Sequence, residues 1–230
     1  METINNLLQR MTKESSHWES SGDRRHVFLQ CYTLMSRNMY VSIEEKHFSD
    51  PLWVSTLLVR FSDYYFEALD LYQSDHPQVP SVWKQAHDAS KNPETHVLQN
   101  LLLGVNAHIN YDLPLALYDC MEQEWISADP DKRSKRKNDH ELVNQVIANS
   151  IDAVQDTIIK PLSPSLAILD KLMGRMDEWL LSKMIVSWRS DVWNVSQLLL
   201  EAKSPDVREE IRQRQEQQVL KRGEQLLNLF

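Results

Sequence analysis

Apolar residues recur along this chain every third or fourth position, the period of an amphipathic helix. Between Asp23 and Glu45 they fall at Val27, Cys31, Leu34, Met35, Met39 and Ile43, behind an Asp23 that reads as the N-cap. Asp50-Pro51 pairs an N-cap with a first-turn proline and opens a helix over Leu52 to about Tyr72. Pro77 and Pro80 interrupt the chain, a short helix covers Ser81 to Ser90, and Asn92-Pro93-Glu94 signals the next start. Pro114 stops the central apolar run and opens a helix to about Trp125. Asp139 to Ile159 reads as helical, Ser163-Pro164 caps a long helix to Ala202, and Ser204-Pro205-Asp206 starts a last, polar one. A short amphipathic segment, Asn5 to Arg10, precedes them all.

The pattern predicts an all-α fold, a single-domain bundle of about eight helices over residues 1–230, with no strand, internal repeat or Gly/Ser-rich linker. The longer connections are Asp75 to Pro80 and Ala128 to Asn138. The last helix stays polar until Val219, Leu220, Leu226, Leu227, Leu229 and Phe230, a pattern that suits a surface helix or a homodimer contact.

Composition sharpens this picture. Only four glycines occur in 230 residues, which disfavours hairpins and an all-β fold. No apolar run approaches the roughly 18 residues of a membrane span, so no transmembrane segment is expected. The opening METINNLLQRMTKESSHWES does not read as a signal peptide. Two cysteines, Cys31 and Cys120, form no framework; reduced thiols in a cytoplasmic protein are the expectation. A net charge of −8 argues against nucleic acid as a partner and leaves a small-molecule substrate or ligand. The basic cluster Lys132, Arg133, Lys135, Arg136 and Lys137 reads as a solvated loop or an anion site.

Chemistry concentrates in Leu101 to Leu117, LLLGVNAHINYDLPLAL. His108 and Asp112, four apart, share one helix face, where they can hold a metal or form an acid–base pair. Asp112 also suits an N-cap for the helix that contains Pro114. Asn106 and Asn110 flank the histidine and are poor mid-helix residues, which suggests groups converging on a pocket. His140 and Asn144 repeat the four-residue spacing on another helix, beside Asp139, a candidate cap. Further candidate ligand contacts are Asp23 and His26, Tyr65 in the run Phe61 to Tyr72, and Arg189 between Trp188 and Trp193. An arginine on an apolar helix needs a buried partner, a ligand anion or room to snorkel. Phosphate-loop, dinucleotide, HExxH and GxSxG signatures are missing.

The ordered stretches DRRHVF, FSDPLWV, FSDYYFEAL, VPSVWKQA, LLLGVNAHINYDLPLAL, NDHELVN and WRSDVWN resemble an uncharacterised bacterial family catalogued as domain of unknown function 5995. The resemblance implies one all-helical domain whose polar positions belong together, and brings no established activity. More locally, GVNAHINYDLP resembles the metal-ligand element of zinc-dependent phospholipase C and the S1/P1 nucleases, which implies His108 and Asp112 as ligands and His140 as a third. Leu115 and Ala116 stand where that pattern has another histidine, and Asn144 where it has an acid, so the implied cluster shrinks to one metal at most.

The leading expectation is a metal-dependent enzyme, a hydrolase of phosphoesters or a related ester. A divalent zinc, iron or manganese ion on His108, Asp112 and His140 would activate water. Those three should then converge to within about 8 Å of one point. One alternative is a metal-free lyase, cyclase or isomerase acting on an apolar metabolite, with His108–Asp112 as acid–base pair. The other is a non-catalytic module that binds a small molecule or a partner helix.

Overall fold

A computed structural model describes residues 4–159, 161 and 176–228, with the side chains of 155, 159 and 176–182 left out. Its α-helices are α1 (Ile4–Ser21), α2 (His26–Glu44), α3 (Pro51–Gln73), α4 (Ser81–Lys91), α5 (Val97–Ala107), α6 (Leu113–Trp125), α7 (Pro130–Val154), α8 (Met176–Glu201) and α9 (Pro205–Leu227). One π-helical turn, His108–Asp112, joins α5 to α6 without a break, and a second, Gln155–Ile159, extends α7. Counting α5, its turn and α6 as one rod, the described residues form eight rods and no strand, the all-α bundle expected.

One contiguous core links all of these helices. α1 is longer than its expected six residues: Leu7, Met11, Ser15 and Trp18 form a buried stripe that continues past Arg10. Each large apolar side chain buried there contributes about 1.5–3 kcal/mol. Gly104 lets α5 approach α2 closely, since a Cβ on it would stand 2.5 Å from the Phe28 ring. No helix among the described residues is long and apolar enough to cross a membrane.

Local capping signals hold in two places. Asp50 accepts from the Trp53 amide at 3.0 Å ahead of Pro51, and the Ser204 hydroxyl accepts from the Val207 amide at 3.3 Å ahead of Pro205. Elsewhere the starts differ from expectation. Asp23 does not cap α2; it accepts from the Arg25 amide at 3.0 Å and pairs with the Arg25 side chain. Asn92 accepts from the Glu94 amide in a turn, and α5 begins only at Val97, where His96 and Gln99 form a reciprocal capping box.

The Ala128–Asn138 connection is largely helix rather than loop. Asp129 accepts from the Lys132 amide at 2.7 Å, and α7 runs straight through the basic cluster. Two of its charges are answered internally: Arg136, buried, pairs with Asp50 at 2.7 Å and Glu124 at 2.8 Å, and Lys132 pairs with Glu124 at 2.7 Å. Asp139 therefore lies inside α7 instead of capping it. The Ser163-Pro164 start falls outside the described residues.

Candidate acid–base site in the helical core

Pro114 does not end the central run. A proline inside a helix lacks an amide hydrogen for the carbonyl one turn back, here that of Asn110. The chain widens into the π-turn, and Gln215 of α9 donates to the Asn110 carbonyl at 2.6 Å. Asp112 thus sits in the rod, makes no capping bond and is 1% exposed.

Freed from capping, Asp112 serves His108. Its Oδ2 lies 3.0 Å from His108 Nδ1, and the Trp83 indole donates to both carboxyl oxygens at 3.0 and 3.1 Å. The imidazole stacks on Phe61, with ring centroids 3.5 Å apart and planes at 8°, and meets the Tyr32 ring edge-on at 4.2 Å. These contacts fix the ring, while Nε2 is buried without a hydrogen-bond partner among the described residues.

His108 is on the wall of a cavity of about 140 Å³; Asp112 stands behind it, off the wall. With Nδ1 turned to Asp112, Nε2 is the ring nitrogen left open. Phe28, Tyr32, Met39, Trp53, Leu57 and Phe61 supply much of the apolar wall. Its charged and imidazole groups are His108, Asp139, His140 and Arg189. The Trp53 indole nitrogen is a second buried donor without a partner among the described residues.

Burial holds His108 well below the ordinary imidazole range and Asp112 well above the carboxylate range; the Trp83 hydrogen bond opposes the latter shift. Both directions favour a net-neutral pair. Such a pair carries two hydrogens, one between Nδ1 and Oδ2 and one on Nε2. His108 therefore carries its hydrogen on Nε2. If it gives that proton up, the charge left behind settles on Asp112, where the Trp83 N–H can hold it.

On the opposite helices His140 and Arg189 form a second unit. His140 Nε2 lies 3.0 Å from the Arg189 carbonyl, and Nδ1 lies 3.3 Å from Arg189 Nη2. Arg189 donates to the His140 carbonyl at 2.7 Å and, through Nε, to Asn144 Oδ1 at 2.8 Å. Burial and the Arg189 charge hold His140 well below its usual range. Asp139 spends both oxygens on the Ser49 and Asp50 amides, at 2.7 and 2.8 Å, and so fastens α7 to the start of α3.

The expected ligand set divides accordingly. His108, His140 and Arg189 line one cavity, with Asn144 bonded to Arg189. Among the described residues no three His, Cys, Asp or Glu side chains gather as a metal ion would need. His140 spends both ring nitrogens near Arg189, whose positive charge opposes a metal cation there. Asn106 and Asn110 face α9: Asn106 donates to the Val219 carbonyl at 2.9 Å, and Asn110 donates to Asn106 at 3.0 Å. Asp23 pairs with Arg25, and His26 lies 3.2 Å from Gln30 at the start of α2. Tyr65 is wholly buried behind the site, against Phe28, Tyr32 and Trp83.

Trp83, which orients the imidazole, was not singled out by spacing, whereas Phe61, which stacks on it, belongs to the aromatic run Phe61 to Tyr72. The sequence hint for Trp83 is its place in VPSVWKQA.

No curated protein and no solved structure matches this chain. A family model does: that of the family of unknown function DUF5995 matches residues 4–229, nearly the whole length, and the chain belongs to that family.

Proposed function

We propose that this protein binds a small, mainly apolar molecule in the core cavity and acts on it as a metal-free acid–base catalyst of the isomerase or lyase type, with His108 as the proton donor. The observation that carries this reading is the unpartnered, buried Nε2 of a histidine whose other nitrogen is held by Asp112. His87 also leaves a buried Nε2 without a partner among the described residues; what sets His108 apart is that it stands on the wall of the core cavity with its other nitrogen held by Asp112. A nitrogen left open beside an apolar cavity suits a ligand oxygen. General acid catalysis needs a donor within hydrogen-bond reach of the reacting atom and a place for the remaining charge, and Asp112 with Trp83 offers the second. The apolar wall would exclude water, which strengthens both interactions. A metal-held water on His108, Asp112 and His140 is the weaker reading, because it requires His140 to leave Arg189. The unpaired Cys31 and Cys120 suit a reducing, cytoplasmic setting.

The test is proton transfer. A panel of small apolar carbonyl compounds is incubated with the protein in D2O, and deuterium uptake at carbon is read by mass spectrometry; the pair that has given up its proton, with a bare Nε2, takes the carbon-bound proton, and after exchange with solvent the neutral pair returns a deuteron from Nε2. Uptake with the parent protein and its loss in His108→Gln supports the reading. Equal labelling by both proteins, or none by either, rejects it.

A further inference from the structure

The cavity wall carries a buried cation, Arg189, with which no carboxylate among the described residues is paired. Arg189 is 4% exposed, and among the described residues its bonds go to neutral groups alone. Its partners are neutral: the His140 carbonyl and ring, and the Asn144 amide oxygen. They use Nε and Nη2, and among the described residues no bond is made by Nη1. Burial pushes the guanidinium down to about 9, which still leaves it charged at neutral pH. The one carboxylate on the same wall, Asp139, spends its oxygens on two backbone amides. A buried, uncompensated charge is costly, and a protein that needed only a polar latch between α7 and α8 could use a neutral side chain.

Resting on the reading of the cavity as a ligand site, we propose that its ligand is a small apolar carboxylic acid, bound as the anion with its carboxylate at Arg189 Nη1 and its apolar body against Phe61 and Leu57. Size sets the class. A cavity of about 140 Å³ is close to the ~150 Å³ that accepts a benzene ring. Acids with one ring, or a short alkyl chain, fit; long-chain fatty acids do not. A charge-assisted bond from a guanidinium in an apolar surrounding discriminates strongly against an uncharged isostere.

The probes are phenylacetate and hexanoate, each beside its primary amide, titrated calorimetrically at fixed ionic strength. The acids should bind at least about tenfold more tightly than the amides, which corresponds to 1.4 kcal/mol. Arg189→Met should erase that preference while keeping the amide affinity. Arg189→Lys, which retains the cation, should keep part of it and guards against a variant that fails to fold. Equal affinity for acid and amide overturns the carboxylate assignment and leaves the cavity reading in place. A preference that survives Arg189→Met overturns the assignment to Arg189. If none of the four probes binds, the assignment falls, whereas the acid–base reading still has its own deuterium test.

Discussion

Gln215 donates its side-chain amide to the carbonyl oxygen of Asn110 at 2.6 Å, and so replaces the hydrogen bond that Pro114 cannot make. This bond ties the last helix to the turn that carries His108 and Asp112. It allows a proline to stand inside a continuous rod instead of ending one. Gln215→Met keeps the length of the side chain and removes the donor. A half-buried carbonyl then loses its partner, at a cost of about 1–3 kcal/mol. Urea unfolding followed by circular dichroism should show a lower midpoint with an unchanged slope. An unaltered midpoint would mean that water reaches Asn110.

The approach of α5 to α2 yields a second expectation. In Gly104→Ala the new methyl would meet the Phe28 ring at 2.5 Å, and Phe28 itself packs against Trp83, Tyr65 and the His108 ring. Overpacking of this kind costs about 1–3 kcal/mol. Phe28→Leu makes room, so the double variant Gly104→Ala/Phe28→Leu should be more stable than the sum of the single losses implies. Simple additivity in thermal melts would show that the ring swings clear unaided.

How much of this was legible beforehand depends on where each residue's partner lies. Asp50 and Ser204 cap amides three residues ahead, so the sequence window contains the whole interaction, and the structure agrees. Asp139 looks the same in sequence, but its acceptors are engaged by Ser49 and Asp50 on a different segment. Helical periodicity cannot reveal that. Asn106 and Asn110 were legible as unusual mid-helix polar residues, while their partner helix α9 was not. The His108–Asp112 pair was visible as a spacing; Trp83, which completes it, sits on α4 and could be placed only by the fold. Pro114 misled for a physical reason: a proline ends a helix unless something else serves the carbonyl behind it.

The acid limb of stability follows from His87. This side chain is buried beside Trp83 and Tyr72, with Nε2 unpartnered among the described residues, and burial pushes it down to about 3 from an ordinary 6.5. The unfolded chain therefore binds a proton that the folded chain refuses. Stability is complete above about 6.5 and is lost progressively as pH falls toward about 3. Buried His108 and His140 act in the same sense, while the raised Asp112 has the opposite sign. Comparing the parent with His87→Gln isolates one contribution: the variant's midpoint should fall less steeply between pH 6.5 and 4. Parallel curves would mean that His87 is protonated in the fold.

The protonation state of the central pair is open to direct measurement. If the pair is net neutral, His108 keeps the Nε2–H form from pH 5 to about 8, and long-range proton–nitrogen correlation spectra should show a neutral ring with its hydrogen on Nε2. Asp112→Asn separates holding the ring from holding charge. The asparagine can still accept from Trp83 and donate to His108 Nδ1, so the fold and the Nε2–H form should persist. What it cannot do is carry the negative charge that remains after His108 gives its proton away. Ligand affinity should therefore stay within about threefold, while proton transfer in the deuterium experiment slows by about 10²-fold or more. A ring that switches to Nδ1–H in the parent protein, or an Asp112→Asn variant that transfers protons at full rate, would mean that Asp112 merely positions the imidazole and takes no part in the chemistry.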